Sequence, residues 1–266
     1  MEEKQQLNLH YKKSGTGPEL VILHGLFGCL DNWQSLTKLL EPDFTVYRLD
    51  LRNHGKSPHA AAHSYPLMAE DLLHFLDVHG LDRVQLMGHS MGGKVAMQFL
   101  NLAKERVRKT MILDIAPKAY PRGHDSLFKA MFDLPIYELQ TRNQADHFLT
   151  ERIPEFGVRQ FILKNLDRDG EGRFVWKINL EALYRHYDQI RAEIAFPHPV
   201  FQELRFVKGA RSGYIDEHDQ KKIPLFLPNA SFVEIADAGH WIHADRPFEL
   251  VEQIRQFFLN ENEMLS

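Results

Sequence analysis

Short apolar runs alternate with stretches of helical periodicity over the first 117 residues, and few architectures accommodate that order. "ELVILHG" (19–25), "FTVYRLDL" (44–51), "RVQLMG" (83–88) and "KTMILDIAP" (109–117) each read as a strand. Runs apolar on both faces suit a parallel sheet covered by helices on both sides. The intervening stretches supply those helices. "WQSLTKLLEP" (33–42) has helical spacing as far as Pro42. "SYPLMAEDLLHFLDVHG" (64–80) puts Met68, Leu72, Phe75 and Leu76 on one face, with Ser64 and Pro66 at its start and Gly80 at its end. "MGGKVAMQFLNLA" (91–103) aligns Val95, Phe99 and Leu102. "LNLHY" (7–11) alternates like an edge strand. The pattern predicts an α/β fold built on a mostly parallel sheet with helices on both faces.

The alternation breaks after Pro117. Residues 118–198 hold helix-like pieces ("HDSLFKAMFDL", "QADHFLTERI", "NLEALYRHYDQI") and a glycine-broken patch, "DRDGEGRFVW", with no comparably apolar strand. This segment reads as a helical lid inserted into a core formed by residues 1–117 and 199–266. The sheet pattern resumes at "FQELRFVKG" (201–209) and "SFVEIA" (231–236). It closes with a helix from Asp245 onward that turns Leu250, Ile254, Phe257 and Phe258 inward.

Composition narrows the function classes. A net charge of −4 gives no general attraction to nucleic acid or anionic membrane. The single cysteine, Cys29, permits no intrachain disulfide. No run reaches the ~18 apolar residues of a membrane span, and "MEEKQQLNLHYKK" lacks the apolar core of a secretory signal. The expectation is a cytoplasmic protein, monomer or dimer, acting on a small molecule.

Gly88-His89-Ser90-Met91-Gly92 matches G-x-S-x-G between an expected strand and an expected helix. That context makes Ser90 the candidate nucleophile. The chain must turn sharply there, and Gly88 and Gly92 have no side chain to obstruct the turn. The new helix aims its first amides at the same spot, so Met91 is one candidate oxyanion donor. In this architecture the second comes from the loop after the first buried strand. "LHGLFG" (23–28) fills that place and nominates Leu26, with His24 and Phe27 beside it as pocket candidates. A serine needs a base, which should follow the last strand. "DAGHWIHADRP" (237–247) supplies His240, with His243 as competitor and Trp241 as a pocket candidate. His89 flanks the nucleophile but is expected to point away. His59 and His63 have helical metal-ligand spacing but no carboxylate beside them, so no metal is expected.

In order, HGLFG, Asp50-Leu-Arg-Asn-His-Gly-Lys-Ser-Pro58, GHSMGGK, LDIAP and GHWIHADRP resemble the α/β-hydrolase superfamily. More closely, the chain is similar to small bacterial esterases of the YbfF type and their mitochondrial hydrolase-domain relatives. The likeness runs from about Leu20 to the C-terminus and includes "GRFVWKINLEAL" (172–183). It implies the α/β-hydrolase fold, with about eight strands, and hydrolysis of carboxylic esters and acyl thioesters, including acyl-CoA, with no cofactor. Two readings stand against a short-to-medium-chain esterase. One is a C–C bond hydrolase or lyase using the same triad, and the other is a non-catalytic ligand-binding protein on the same fold.

The acid is where the chain departs from the commonest family pattern. After the penultimate strand it reads Gly209-Ala-Arg-Ser-Gly-Tyr-Ile-Asp216, with Ser212 where Asp is usual. Asp216 looks like a helix cap. Asp114, inside "ILDIAP", ends the strand that follows the nucleophile helix, and the YbfF-type esterases are similar in placing their acid there. Asp114 is the favoured acid and Asp216 the alternative. If the base is an ordinary imidazole, activity should rise with pH through ~6.5. Lys118, Arg122 and Lys129 are candidate contacts for CoA phosphates, or else a solvated charged face. Arg52, Asn53 and His54 read as loop-fixing residues, and Cys29 as a packing residue.

Overall fold

The computed structural model describes residues 6–260. Seven strands form the main sheet: β1 (Tyr11–Ser14), β2 (Glu19–Leu23), β3 (Thr45–Leu49), β4 (Val84–His89), β5 (Val107–Leu113), β8 (Glu203–Gly209) and β9 (Ala230–Ile235). Two short strands between β5 and β8, β6 (Leu166–Arg168) and β7 (Phe174–Trp176), pair separately as an antiparallel hairpin. The main order is β1-β3-β2-β4-β5-β8-β9, parallel except for β1, which runs antiparallel to β3. The expected count was about eight. The 7–11 stretch forms a strand only from Tyr11, and two of its earlier amides bond side chains. The Leu7 amide donates to the Asp71 carboxylate, and the His10 amide to Ser57 Oγ.

Each central strand feeds two cores, because successive side chains face opposite sides. Val21, Leu23, Leu86, Ile112 and Phe206 pack with the helices Tyr65–Val78 and Met91–Ala103. Leu20, Ile22, Met87, Met111 and Val207 pack with Gln34–Leu40 and Pro247–Leu259 on the other side. The inward residues expected for the helices 65–78 and 247–259 are buried. Leu102 is not: it is 44% exposed, and the buried stripe instead runs through Val95, Ala96, Phe99, Leu100 and Ala103.

Between β5 and β8 the chain forms helices Asp125–Asp133, Arg142–Thr150, Phe156–Leu163, Leu180–Arg185 and Tyr187–Ile190 along with the β6–β7 hairpin. The hairpin adds two short strands to a segment read from its periodicity as helical pieces with no comparably apolar strand. Its strands are three residues long, and the turn "DGEG" hides them from any periodicity. The two ends of this segment are stapled together. The Ile194 amide donates to the Pro117 carbonyl at 2.7 Å and the Tyr120 amide to the Arg191 carbonyl at 2.9 Å. Among the described residues, no helix is long and apolar enough to cross a membrane.

Candidate active site

Strand register aligns the carboxyl ends. Leu23 pairs with Gly88, His89 with Leu113, Leu113 with Val207, and Gly209 with Ile235. The loops after β2, β4, β5, β8 and β9 therefore open on one edge, where parallel sheets of this kind bind ligands. They floor a cavity of about 650 Å³, within the usual range for small-molecule sites.

Ser90 stands at the β4–helix turn with φ +52°, a conformation that costs energy for any residue with a Cβ. The tightness of the turn shows in its glycines. A Cβ on Gly88 would lie 2.2 Å from the Gly92 carbonyl oxygen, and one on Gly92 would lie 2.6 Å from the carbonyl oxygens of Leu23 and His24. The Ser90 amide is held by the Leu113 carbonyl at 3.0 Å, which ties the elbow to β5. Ser90 and His240 line the same cavity.

His240 Nδ1–H donates to Asp114 Oδ2 at 2.7 Å. Asp114 is fully buried, 126 residues away in sequence, and itself adopts φ +51°. Two further donors make burial of its charge tolerable: the Gly209 amide at 3.1 Å to Oδ1, and the Ser212 hydroxyl to Oδ2. Ser212, which replaces the more usual aspartate, thus serves the carboxylate supplied by the neighbouring strand. The His240 ring also stacks on Tyr214, with centroids 4.0 Å apart and planes 18° apart.

Asp216 is elsewhere. It caps the helix Glu217–Lys222 by accepting from the Asp219 amide at 2.9 Å, and it pairs with Lys118 at 3.0 Å. That amide bond and the Lys118 ammonium hold its carboxyl down at about 2. His243 is half-buried and packs against Trp33, with rings 4.5 Å apart, and desolvation pushes its pKa down to about 4.

The amides of Leu26 and Met91 donate to no protein acceptor among the described residues, and both residues line the cavity. The loop that carries Leu26 is braced by the 118–198 segment. Asn165 Nδ2 donates to the Phe27 carbonyl at 2.8 Å, and Phe27, at φ +60°, packs edge-on against Phe128. Trp241 lines the cavity beside Phe161. His24 also borders it, but both its ring nitrogens are spent on main-chain groups. Nδ1 bonds the Gly25 carbonyl and Nε2 accepts from the Leu51 amide. It therefore shapes the wall without offering a polar contact to a ligand.

Sequence reasoning missed several residues. Ser212 and Tyr214 were passed over because nothing local links them to His240. Lys94, only 1% exposed, sends its ammonium to the carbonyls of Lys118, at 2.8 Å, and Ala192. Its burial pushes the pKa down to about 7. His89 does not simply point away: its Nε2–H donates to the His240 carbonyl at 2.8 Å. His59 and His63 bond separately, to the Lys177 carbonyl and to Asn53. Arg52 forms a buried two-bond ion pair with Asp71, and Asn53 accepts from the Ala60 amide, so that loop is internally braced. Burial pushes the Cys29 thiol up, away from thiolate chemistry.

Residues 18–247 match the family model described as the alpha/beta hydrolase fold, so the chain belongs to that family and is a hydrolase. It is 38% identical over 242 residues to esterase YbfF of Escherichia coli, covering 90% of this chain and 92% of the relative. It is 36% identical over 250 residues to the mouse (Mus musculus) sn-1-specific diacylglycerol lipase ABHD11, covering 91% and 81%. A solved marine microorganism esterase superposes with a TM-score of 0.92 at 38% identity, over 94% of this chain and 99% of that one.

Proposed function

We propose that this hydrolase cleaves short-to-medium acyl esters through a covalent acyl-enzyme on Ser90. The observation that carries the reading is the His240–Asp114 hydrogen bond at the wall of the cavity that Ser90 also lines. Asp114 holds Nδ1 protonated, leaving Nε2 as the basic nitrogen. His240 takes the Ser90 proton as the oxygen attacks the ester carbonyl, and Asp114 stabilises the imidazolium that forms. The amides of Leu26 and Met91 receive the oxyanion. His240 then protonates the leaving alcohol and next activates the water that releases the acid.

An acyl chain suits the walls, which include Leu26, Phe27, Leu127, Val158, Phe161 and Trp241. Segment 118–198 supplies several of them and acts in this reading as the lid. Thioesters would pass through the same chemistry. Specific grip on CoA phosphates has weaker support, because the candidate cations are already paired: Lys118 with Asp216 and Asp219, Arg122 with Asp125 and Asp188, and Lys129 with Asp133.

The test is a panel of p-nitrophenyl esters and acyl-CoAs against wild type and Ser90→Ala, with fluorophosphonate labelling. We expect ester turnover and labelling of Ser90, and a loss of roughly 10⁴-fold or more in kcat for Ser90→Ala. A wild-type protein that neither labels nor turns over any member of the panel overturns the reading.

A further inference from the structure

His89 precedes the proposed nucleophile, yet the mechanism above gives it no part. Its imidazole is buried where three functional loops meet. Nε2–H donates to the main-chain carbonyl of His240 at 2.8 Å. Among the described residues this is the only hydrogen bond to the main chain of His240. The two rings lie 4.7 Å apart. The His89 ring packs against His243 at 5.2 Å and meets Trp33 edge-on at 6.2 Å. On the far side, Nδ1 would be 3.1 Å from a Cβ on Gly25, so the ring also abuts the loop that carries Leu26.

We propose that His89 is a positioning residue for His240, its Nε2–H fixing the base loop against the nucleophile elbow. The neighbouring residues of that loop have their own anchors. The Gly239 amide donates to Asp245, and the Ala238 carbonyl accepts from the Arg211 amide. At His240 itself, Asp114 and Tyr214 hold the ring and His89 holds the backbone. Displacing that backbone would move Nε2 relative to Ser90, and misplacement of about 1 Å can cost on the order of 10²-fold in rate. Imidazole suits the task because it can donate a hydrogen bond while uncharged. Burial, together with the nearby His240 and His243, holds the His89 pKa well below the usual imidazole range. It therefore brings no second cation beside the imidazolium that forms on His240.

The inference rests on the reading of His240 as the base for Ser90. Three variants of the full chain test it. In His89→Gln the amide nitrogen reaches the place of Nε2, in His89→Asn it falls short, and in His89→Leu no donor remains. The readouts are kcat and KM on a p-nitrophenyl ester, the rate of fluorophosphonate labelling, and the melting temperature. We expect Asn and Leu to lower kcat and labelling by roughly 10–100-fold with KM within about threefold, and Gln to stay within about fivefold of wild type. If Leu does not fold, the polar pair Gln and Asn decides. Equal rates for Gln and Asn, or a change confined to KM, overturn the inference while wild-type turnover leaves the ester-hydrolase reading intact. An inactive, unlabelled wild type removes both.

Discussion

A buried carboxylate just past the end of an apolar strand demands a partner, and Asp114 stands there, one residue beyond β5. Its three donors come from Gly209, Ser212 and His240, none of them local in sequence. Asp114→Asn should lower kcat by about 10³–10⁴-fold with KM little changed, because the amide favours the wrong tautomer of the base. Asp216→Asn should leave turnover within about twofold, since Asp216 serves a helix cap and Lys118. Steady-state kinetics on one ester checks both, and the reverse ranking would move the acid to Asp216. Ser212→Ala removes one donor of three and should cost roughly tenfold in kcat, less than Asp114→Asn. Asp114 could be picked out from its neighbours in the chain. The task of Ser212 could not, because it depends on which strand lies beside β5.

At the scale of elements, the strand–elbow–helix unit is a steric device. Gly92→Ala would set a Cβ against the main-chain carbonyls of Leu23 and His24, which cannot rotate aside. We expect it to destabilise the protein by roughly 1–3 kcal/mol, read as a lower urea midpoint. Further along the same helix, Lys94 ties the elbow to both stems of the 118–198 segment through the carbonyls of Lys118 and Ala192. Lys94→Met keeps the apolar length but orphans those carbonyls. It should lower the melting temperature and shift KM across a series of acyl-chain lengths more than it shifts kcat. Equal effects on every chain length would argue that the strut does not shape the cavity. The helix starting at Met91 was evident from its periodicity, but its buried stripe was misread at Leu102, since spacing alone does not say where the neighbouring layer ends. The β6–β7 hairpin left no period to detect.

For the whole molecule, histidines that the fold keeps neutral weaken it as pH falls. Desolvation pushes His63 down to about 3 and His243 to about 4, whereas both titrate near 6.5 when exposed. Between those values the unfolded chain binds protons that the folded one refuses. Their contribution to stability is thus fully present above 6.5 and is lost as pH falls toward 4 and 3. These two groups alone predict a fall of roughly 2–3 kcal/mol per pH unit near pH 5. Urea unfolding at several pH values would measure it, and a flat profile from pH 6.5 to 4 would refute it. Lys94 contributes with the same sign in a higher window. Its folded value of about 7 lies below its ordinary 10.5, so stability from this group increases between those values as pH rises.

The architecture and the order of the proposed chemistry were legible in the chain because they rest on local regularities. Apolar periodicity specifies strand and helix, glycines permit one sharp turn at Ser90, and His240 follows the last strand. The acid was not settled at that level, since Asp114 and Asp216 each had a local rationale. The fold is what separates the places of the two carboxylates. Parallel pairing in the order β4-β5-β8-β9 brings the ends of four strands side by side, so that Asp114, Ser212 and His240 share hydrogen bonds across 126 residues. Asp216 is carried past that edge onto a helix start, where an amide and Lys118 take up its charge. Non-local hydrogen bonds of this kind leave no periodic trace in a sequence. They form only when the sheet order has placed their partners within reach.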